Sequence, residues 1–288
     1  MDLANGSKKV LKLKNKTENT PELLSLAIEA AIIAGAEILK VYETNFSVEL
    51  KSDNSPVTIA DKRASDIIIN HLKNTAIPVL SEEDEQIEYR IRKNLKHIWI
   101  IDPLDGTREF VKRNGEFTVN IALIENGKPV IGVIYSPVSR NLYYSSEKGS
   151  FKVEGHALLE ILNNQNDLNL IQKASHKLPL HEAPAAYTLV ASRSHLSQKI
   201  NERINLAKQK FEKVDIINTG SSIKFCLIAE GLAHEYPRFG NTMEWDTAAG
   251  QCIIEQAGGK VIDLETMSSL QYNRENLCNN SFIAYCKN

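Results

Sequence analysis

The feature that most constrains the fold is residues 102–107, with the sequence Asp-Pro-Leu-Asp-Gly-Thr, which directly follow the apolar run 98–101. An apolar run that ends in two carboxylates, a glycine and a hydroxyl predicts a buried strand that opens into a charged loop. Two acids held this close repel each other unless a cation lies between them, and Mg²⁺ prefers such oxygen ligands. A metal site and an ordinary acidic turn are both open interpretations, because aspartate, proline and glycine also favour turns.

Length and composition indicate a globular chain with one or two domains. The chain has 288 residues, of which 42% are hydrophobic and 24% charged, close to globular averages. The net charge of −2 gives no general basis for binding nucleic acid, which requires a basic face. The 4 cysteines form no Cys-x-x-Cys pair, so we expect reduced thiols in a cytoplasmic protein and no zinc site.

The N-terminal segment and the first apolar stretch bear on membrane contact. Residues 1–20 are rich in lysine and lack the apolar core of a signal peptide. The stretch 23–39 contains Glu29 and Glu37, so we do not expect it to span a membrane. A flexible, solvated tail is the expectation for 1–20, and contact of its lysines with the anionic inner face of the cell membrane is the alternative.

The hydrophobic pattern predicts alternating helices and strands, which is typical of layered α/β proteins. Helices are predicted at 21–42, 59–72, 196–211, 223–230 and 245–256. Strands are predicted at 46–51, 79–80, 98–101, 118–125, 130–135, 142–146, 189–191, 214–217, 233–236 and 260–262. Because Asn126-Gly127 is a strong hairpin signal, the first sheet should be mostly antiparallel.

The same pattern suggests four segments along the chain. They are an extension (1–20), an α+β half with the candidate metal ligands (21–153), a weakly patterned, variable connection (154–186) and a C-terminal α/β half (187–288).

Four carboxylates stand at the edges of apolar segments: Glu82, Asp102, Asp105 and Asp246. Two or three Mg²⁺ ions need about this many carboxylates, since each ion is six-coordinate and keeps several waters. In two-metal catalysis one ion lowers the pKa of a bound water and the other stabilises the leaving oxygen.

Thr107 and Asp61 are candidates to orient and deprotonate that water, because a threonine hydroxyl can accept from water while it donates to a carboxylate. A solvated acid in the first turn of a helix is the competing interpretation of Asp61. A phosphatase with an aspartyl nucleophile would carry Asp-x-Asp-Gly-Thr. Here Pro103 and Leu104 separate the two acids, so the spacing argues against that class.

Three ordered segments resemble the signature motifs of the inositol monophosphatase superfamily. They are 81–83 (Ser-Glu-Glu), 102–107 and 245–250 (Trp-Asp-Thr-Ala-Ala-Gly), and the resemblance spans residues 21–286. It implies an αβαβα layered fold and a lithium-sensitive, Mg²⁺-dependent phosphomonoesterase.

Within that superfamily, further segments resemble the bacterial 3′(2′),5′-bisphosphate nucleotidases. These segments are 53–58, 107–120, 192–195, 220–226 and 236–240. The resemblance implies hydrolysis of adenosine 3′,5′-bisphosphate (PAP) to AMP and phosphate in sulfur assimilation. We expect a monomer or homodimer, with 3′-phosphoadenylyl sulfate (PAPS) as a second candidate substrate. The alternatives are an inositol or sugar monophosphatase and a non-catalytic nucleotide sensor.

The resemblance also implies ligands for two or three Mg²⁺ ions. Glu82, Asp102 and the Leu104 carbonyl would hold one ion. Asp102, Asp105 and Asp246 would hold a second.

For catalysis, the resemblance implies that Asp61 and Thr107 activate the water and that the amides of Gly106 and Thr107 hold the scissile phosphate. The residues implied to bind the nucleotide and its 5′-phosphate are Ser221, Lys224, Arg238 and His195, with Asp246 in a second role at the substrate. A second phosphate needs additional cationic donors, which Lys224 and Arg238 would supply. A solvent-facing helix lysine and a surface-loop arginine are the competing interpretations.

Overall fold

The computed structural model describes residues 20–50, 56–164, 168–192 and 198–287. Its helices are α1 (Thr20–Tyr42), α2 (Ile59–Leu72), α3 (Tyr89–Arg92), α4 (Thr107–Val111), α5 (Gly155–Asn164), α6 (Leu168–Lys173), α7 (Gln198–Lys210), α8 (Ile223–Glu230) and α9 (Glu244–Gln256), with a 3₁₀ turn at Lys73–Thr75. Its strands are β1 (Val48–Leu50), β2 (Pro56–Thr58), β3 (Val79–Ser81), β4 (His97–Asp105), β5 (Thr118–Glu125), β6 (Lys128–Ser136), β7 (Asn141–Ser146), β8 (Gly149–Val153), β9 (His176–Lys177), β10 (Tyr187–Ser192), β11 (Val214–Thr219), β12 (Glu235–Arg238), β13 (Lys260–Asp263) and β14 (Phe282–Tyr285).

A seven-stranded sheet forms the centre of the first half, with its strands in sequence order from β3 to β9. β3 and β4 run parallel, and every later neighbour is antiparallel. The turn between β5 and β6 places Asn126 and Gly127 at φ 50° and 78°, as expected for a tight hairpin. The prediction of a mostly antiparallel first sheet is confirmed.

Both faces of this sheet are buried, because successive side chains of a strand point to opposite faces. On β4, Trp99 and Ile101 join the apolar core beneath α1 and α2. Ile98 and Ile100 join a different core, which contains side chains of α8 and α9. The sheet is therefore packed between two helical layers.

A five-stranded sheet, in the order β11-β10-β12-β14-β13, lies on the far side of α8 and α9. Val190 of β10 belongs to the core shared with those helices. Its neighbours Leu189 and Ala191 pack instead with α7. The order of layers is therefore α1 with α2, first sheet, α8 with α9, second sheet, α7, which confirms the αβαβα prediction.

The connection 154–186 is more regular than its composition suggested. It contains α5, α6 and β9, and β9 extends the first sheet beyond β8. Leu158 and Ile171 are buried in the first core, and Ala157, Ile161 and Leu162 pack against it, so the apolar residues of α5 and α6 order this connection. The sequence pattern predicts neither these elements nor β2, β8, β14, α3 and α4.

Two further expectations concern the N-terminal extension and the absence of a membrane-spanning helix. The predicted extension lies outside the described residues, except that Thr20 begins α1. Among the helices of the described ranges, none combines the length and the apolar character needed to span a membrane.

A buried ion pair joins the first sheet to helix α8. The Lys152 ammonium on β8 lies 2.8 Å from Oε2 of Glu230 at the end of α8, and the Tyr143 hydroxyl on β7 donates to Oε1 of Glu230 at 2.7 Å. Lys152 is 8% exposed and Glu230 is 3% exposed. An ion pair this buried is costly to break from one side, because the remaining charge is desolvated.

We expect Glu230→Ala to lower the free energy of unfolding by about 3–5 kcal/mol, since it removes the close partner of a buried ammonium. The double variant Lys152→Met/Glu230→Gln removes both charges and keeps an acceptor for Tyr143, so it should recover most of that loss. Urea denaturation measures both. Lys62→Ala breaks an exposed pair with Glu49 and should change stability far less than Glu230→Ala, because solvent screens exposed pairs. A double variant as unstable as Glu230→Ala would contradict the assignment.

Candidate active site

Three carboxylates from separate segments meet at one point. Glu82, Asp102 and Asp246 each offer an oxygen, and these oxygens all lie within 4.8 Å of one another. Glu82 follows β3 and Asp102 lies on β4, and these two strands are parallel neighbours that pair Ser81 with Ile101. Asp246 lies in the first turn of α9, which packs between the sheets.

The electrostatics of this cluster favour a cation. Burial, followed by the negative charges of Glu82, Asp105 and Asp246, raises the pKa of Asp102 well above its usual range. Burial and the charges of Asp105 and Glu82 also raise the pKa of Asp246. An all-oxygen donor set whose members oppose each other's ionisation matches the preference of a hard divalent cation. The residues therefore fit Mg²⁺.

Asp105 and Leu104 lie beside this cluster. The pairing of β4 with β5 changes register between Asp102 and Asp105. The Leu104 amide donates to Oδ1 of Asp102 at 3.1 Å, and the Leu104 carbonyl oxygen lies 3.3 Å from the Thr107 hydroxyl oxygen. Asp105 is not one of the three residues of the close cluster, but its charge acts on both Asp102 and Asp246.

Asp61 and Thr107 are brought together from positions 46 residues apart. The Thr107 hydroxyl donates to Oδ1 of Asp61 at 3.0 Å, while the amide and hydroxyl of Thr58 donate to Oδ2 at 2.8 and 2.7 Å. Asp61 is 1% exposed, which contradicts its interpretation as a solvated helix acid. Burial raises its pKa, although the hydrogen bonds from Thr58 and Thr107 oppose the shift.

A polar cavity adjoins the carboxylates and contains two cationic side chains. Its lining includes Asp105, Ser221, Lys224, Arg238 and Asp246. Lys224 is buried, and desolvation lowers the pKa of its ammonium to about 8. Nε of Arg238 is buried and has no hydrogen-bond partner among the described residues. Buried donors of this kind suit an anionic ligand, and the burial of Lys224 contradicts a solvent-facing position.

The model of the inositol monophosphatase family matches residues 19–284. The chain belongs to the inositol monophosphatase family. A 3′(2′),5′-bisphosphate nucleotidase CysQ from Salmonella typhimurium is 41% identical over 264 residues, which cover 90% of this chain and 98% of that protein. CysQ from Bacteroides thetaiotaomicron, described as a bacterial member of the family, has a crystal structure that superposes with a TM-score of 0.85 at 44% identity, covering 95% of this chain and 100% of that one. The suhB protein of Bartonella henselae superposes with a TM-score of 0.70 at 26% identity, covering 92% and 94%.

In this inositol monophosphatase family member, Gly106 has the backbone conformation that a tight turn requires. Its φ of 96° lies in the left-handed region, which disfavours residues with a side chain. A Cβ at this position would also lie 3.0 Å from the Glu116 carbonyl and 3.3 Å from Cβ of Ser221. The turn places Gly106 and Thr107 directly after the metal-ligand candidates. His195 lies outside the described residues.

Two buried polar residues at the site were given no role from the sequence. Ser222 and Asn120 both contact the Asp105 carboxylate. A signal for Asn120 was available, because it is a buried amide in the otherwise largely apolar strand β5. Ser222 had no comparable signal, since a serine before a helix usually indicates a helix cap.

Proposed function

We propose that this member of the family is a Mg²⁺-dependent 3′(2′),5′-bisphosphate nucleotidase that hydrolyses PAP to AMP and phosphate. The observation that carries the proposal is one cavity lined by Asp105 and Asp246 on the metal side and by two cationic side chains, the buried Lys224 and the half-buried Arg238. A substrate with one phosphate has no need of both cations, whereas PAP carries a second phosphate. The CysQ nucleotidases that cover nearly the whole chain at about 40% identity support the same substrate.

The cation ligands in this proposal are the ones that the sequence predicted. Glu82, Asp102 and the Leu104 carbonyl would hold one Mg²⁺, and Asp102, Asp105 and Asp246 would hold a second, with two or three ions in all. Bound Mg²⁺ lowers the pKa of water and neutralises charge on the phosphoryl oxygens. The closeness of the three carboxylate oxygens supports this arrangement.

Asp61 and Thr107 would act as the proton-accepting pair. Because the Thr107 hydroxyl donates its proton to Asp61, its lone pairs remain available to accept a hydrogen bond from the attacking water. The raised pKa of Asp61 makes this carboxylate a better proton acceptor than a solvated aspartate. Water would attack the phosphorus directly, without a covalent intermediate.

The rest of the cavity would position the substrate. The amides of Gly106 and Thr107 would hold the scissile phosphate, and Ser221, Lys224, Arg238 and His195 would bind the nucleotide and its 5′-phosphate. A phosphate beside Lys224 would favour the charged amine and offset the effect of burial. The proposal includes PAPS as a second substrate and a cytoplasmic monomer or homodimer, and membrane contact of the extension stays a prediction.

The test of this proposal is phosphate release from PAP and from inositol 1-phosphate, measured side by side. Each substrate is assayed with Mg²⁺, with EDTA, and with Mg²⁺ plus Li⁺. We expect fast, Mg²⁺-dependent and Li⁺-sensitive release from PAP only. A preference for inositol 1-phosphate would keep the metal site but discard the nucleotide assignment. Binding of PAP without release from either compound would indicate a sensor.

Replacing Thr107 tests the proton-accepting pair. Thr107→Val keeps the shape of the side chain but removes the hydroxyl, so kcat should fall by about 10²–10⁴-fold, the usual contribution of general-base catalysis. KM for PAP should change little. Thr107→Ser restores the hydroxyl and is the matched control. Retention of most of the wild-type kcat in Thr107→Val would refute the role of this pair.

Replacing Arg238 tests the assignment of the 5′-phosphate. Arg238→Ala removes a charge-assisted donor, so kcat/KM for PAP should fall by roughly tenfold or more. For adenosine 3′-monophosphate, which lacks the second phosphate, the change should be small. Arg238→Lys, which keeps the charge but not the planar fork, should be intermediate. Equal losses on both substrates would mean that Arg238 does not bind the 5′-phosphate.

A further inference from the structure

A buried chain of hydrogen bonds ends on the Asp105 carboxylate. The Ser222 hydroxyl donates to Oδ2 of Asp105 at 2.7 Å. Nδ2 of Asn120 lies 2.9 Å from Oγ of Ser222 and 3.3 Å from the same Oδ2. Ser222 and Asn120 are each 1% exposed, so solvent does not compete for these bonds.

The direction of each bond follows from the available donors. The Thr118 hydroxyl donates to Oδ1 of Asn120 at 3.0 Å, so the amide nitrogen of Asn120 faces Ser222 and Asp105. Ser222 accepts one of the amide protons, which leaves its own proton for the carboxylate. Its Oγ also lies 3.1 Å from the Asp246 carbonyl, but the shorter contact is to the charged oxygen, which is the stronger acceptor. Two donors therefore converge on one oxygen of Asp105.

Ser222 is not used in the usual way for a serine at the start of a helix. It precedes α8, yet its side chain makes no capping hydrogen bond. The hydroxyl instead reaches across to β4, in the other half of the molecule. Because this buried hydroxyl donates to the Asp105 carboxylate instead of capping the helix, its role is to orient that carboxylate.

The turn that carries Ser222 is itself fixed by the first half. The Gly220 amide donates to Oε2 of Glu116 at 2.8 Å. Ser221, at φ 46°, packs against Gly106, whose hypothetical Cβ would lie 3.3 Å from Cβ of Ser221. Ser222 is therefore held at a defined distance from Asp105 by contacts on the residues before it.

We propose that Ser222, supported by Asn120, is a positioning residue that holds Asp105 in the orientation needed to bind a divalent cation. This inference rests on the proposed function, in which Asp105 is a ligand of the second cation. Partners that orient a ligand in this way typically change metal affinity by about 10–100-fold. The effect should be largest for the cation that Asp105 binds, because Asp105 is the carboxylate to which the Ser222 hydroxyl donates.

The direct test is calorimetric titration of the metal-free protein with Mn²⁺, which shares the oxygen-ligand preference of Mg²⁺. Ser222→Ala should weaken binding of one cation by about 10–100-fold relative to wild type. Asn120→Ala, which leaves the Ser222 hydroxyl in place, should have a smaller effect. In steady-state assays with PAP, Ser222→Ala should raise the Mg²⁺ concentration for half-maximal activity, and saturating Mg²⁺ should restore much of kcat.

Ser150→Ala is the matched control. Ser150 is also buried, and its hydroxyl also donates a short hydrogen bond, to the Ile253 carbonyl at 2.6 Å. The Ser150→Ala variant should bind Mn²⁺ like wild type, and thermal unfolding should show a similar loss of stability in both variants. Wild-type Mn²⁺ affinity in Ser222→Ala, or equal weakening in Ser150→Ala, would overturn the positioning role. Failure of the proposed function would appear as a wild-type protein that does not hydrolyse PAP. If the wild type does hydrolyse PAP, the two outcomes above concern the positioning role alone.

Discussion

Repulsion among buried carboxylates is the constraint that the rest of the structure must satisfy. Glu82, Asp102 and Asp246 place oxygens within 4.8 Å of one another, and two unit charges 4 Å apart repel by about 4 kcal/mol at an effective dielectric of about 20. Such a site persists only on elements that are rigid for other reasons. Here the strands and the helix that carry the acids are buried in two apolar cores. The packed layers thus supply the stability of the fold, whereas the carboxylate cluster between them destabilises it. This is common at active sites.

Helix starts hold two of the acids in the same way. Asp61 and Asp246 are each the third residue of a helix, and each accepts a hydrogen bond at 2.8 Å from the backbone amide three residues earlier, at Thr58 and Met243. In both cases that bond uses Oδ2. One carboxylate oxygen is therefore committed to capping the helix, which fixes the side chain. In Asp61 the other oxygen accepts from Thr107, so a local structural rule also orients a functional group.

The sequence could predict the features that depend on the order of neighbouring residues. The apolar run before residues 102–107 indicated a buried strand, and the spacing of the two aspartates excluded one class of phosphatase. Periodicity could not show that Asp61 meets Thr107, or that Lys224 is buried, because both facts depend on packing between distant segments. For those the resemblance of whole motifs was needed. The regular structure of the connection 154–186 was not predicted because the segment is largely polar. Leu158 and Ile171 supply buried contacts that order it.

Strand β4 and the turn before α8 contribute directly contacting residues to the same site. Asp105 comes from the first half, yet a serine of the second half fixes its carboxylate, and two residues further on Lys224 lines the same cavity. The turn before α8 and the first residues of that helix therefore contact the candidate cation ligand Asp105 and also supply a residue of the anion site. A substrate with two phosphates would contact both, so the binding energy of the distant phosphate can be used to orient the reacting one. In this arrangement, selectivity for a bisphosphate and efficient catalysis depend on the same contacts.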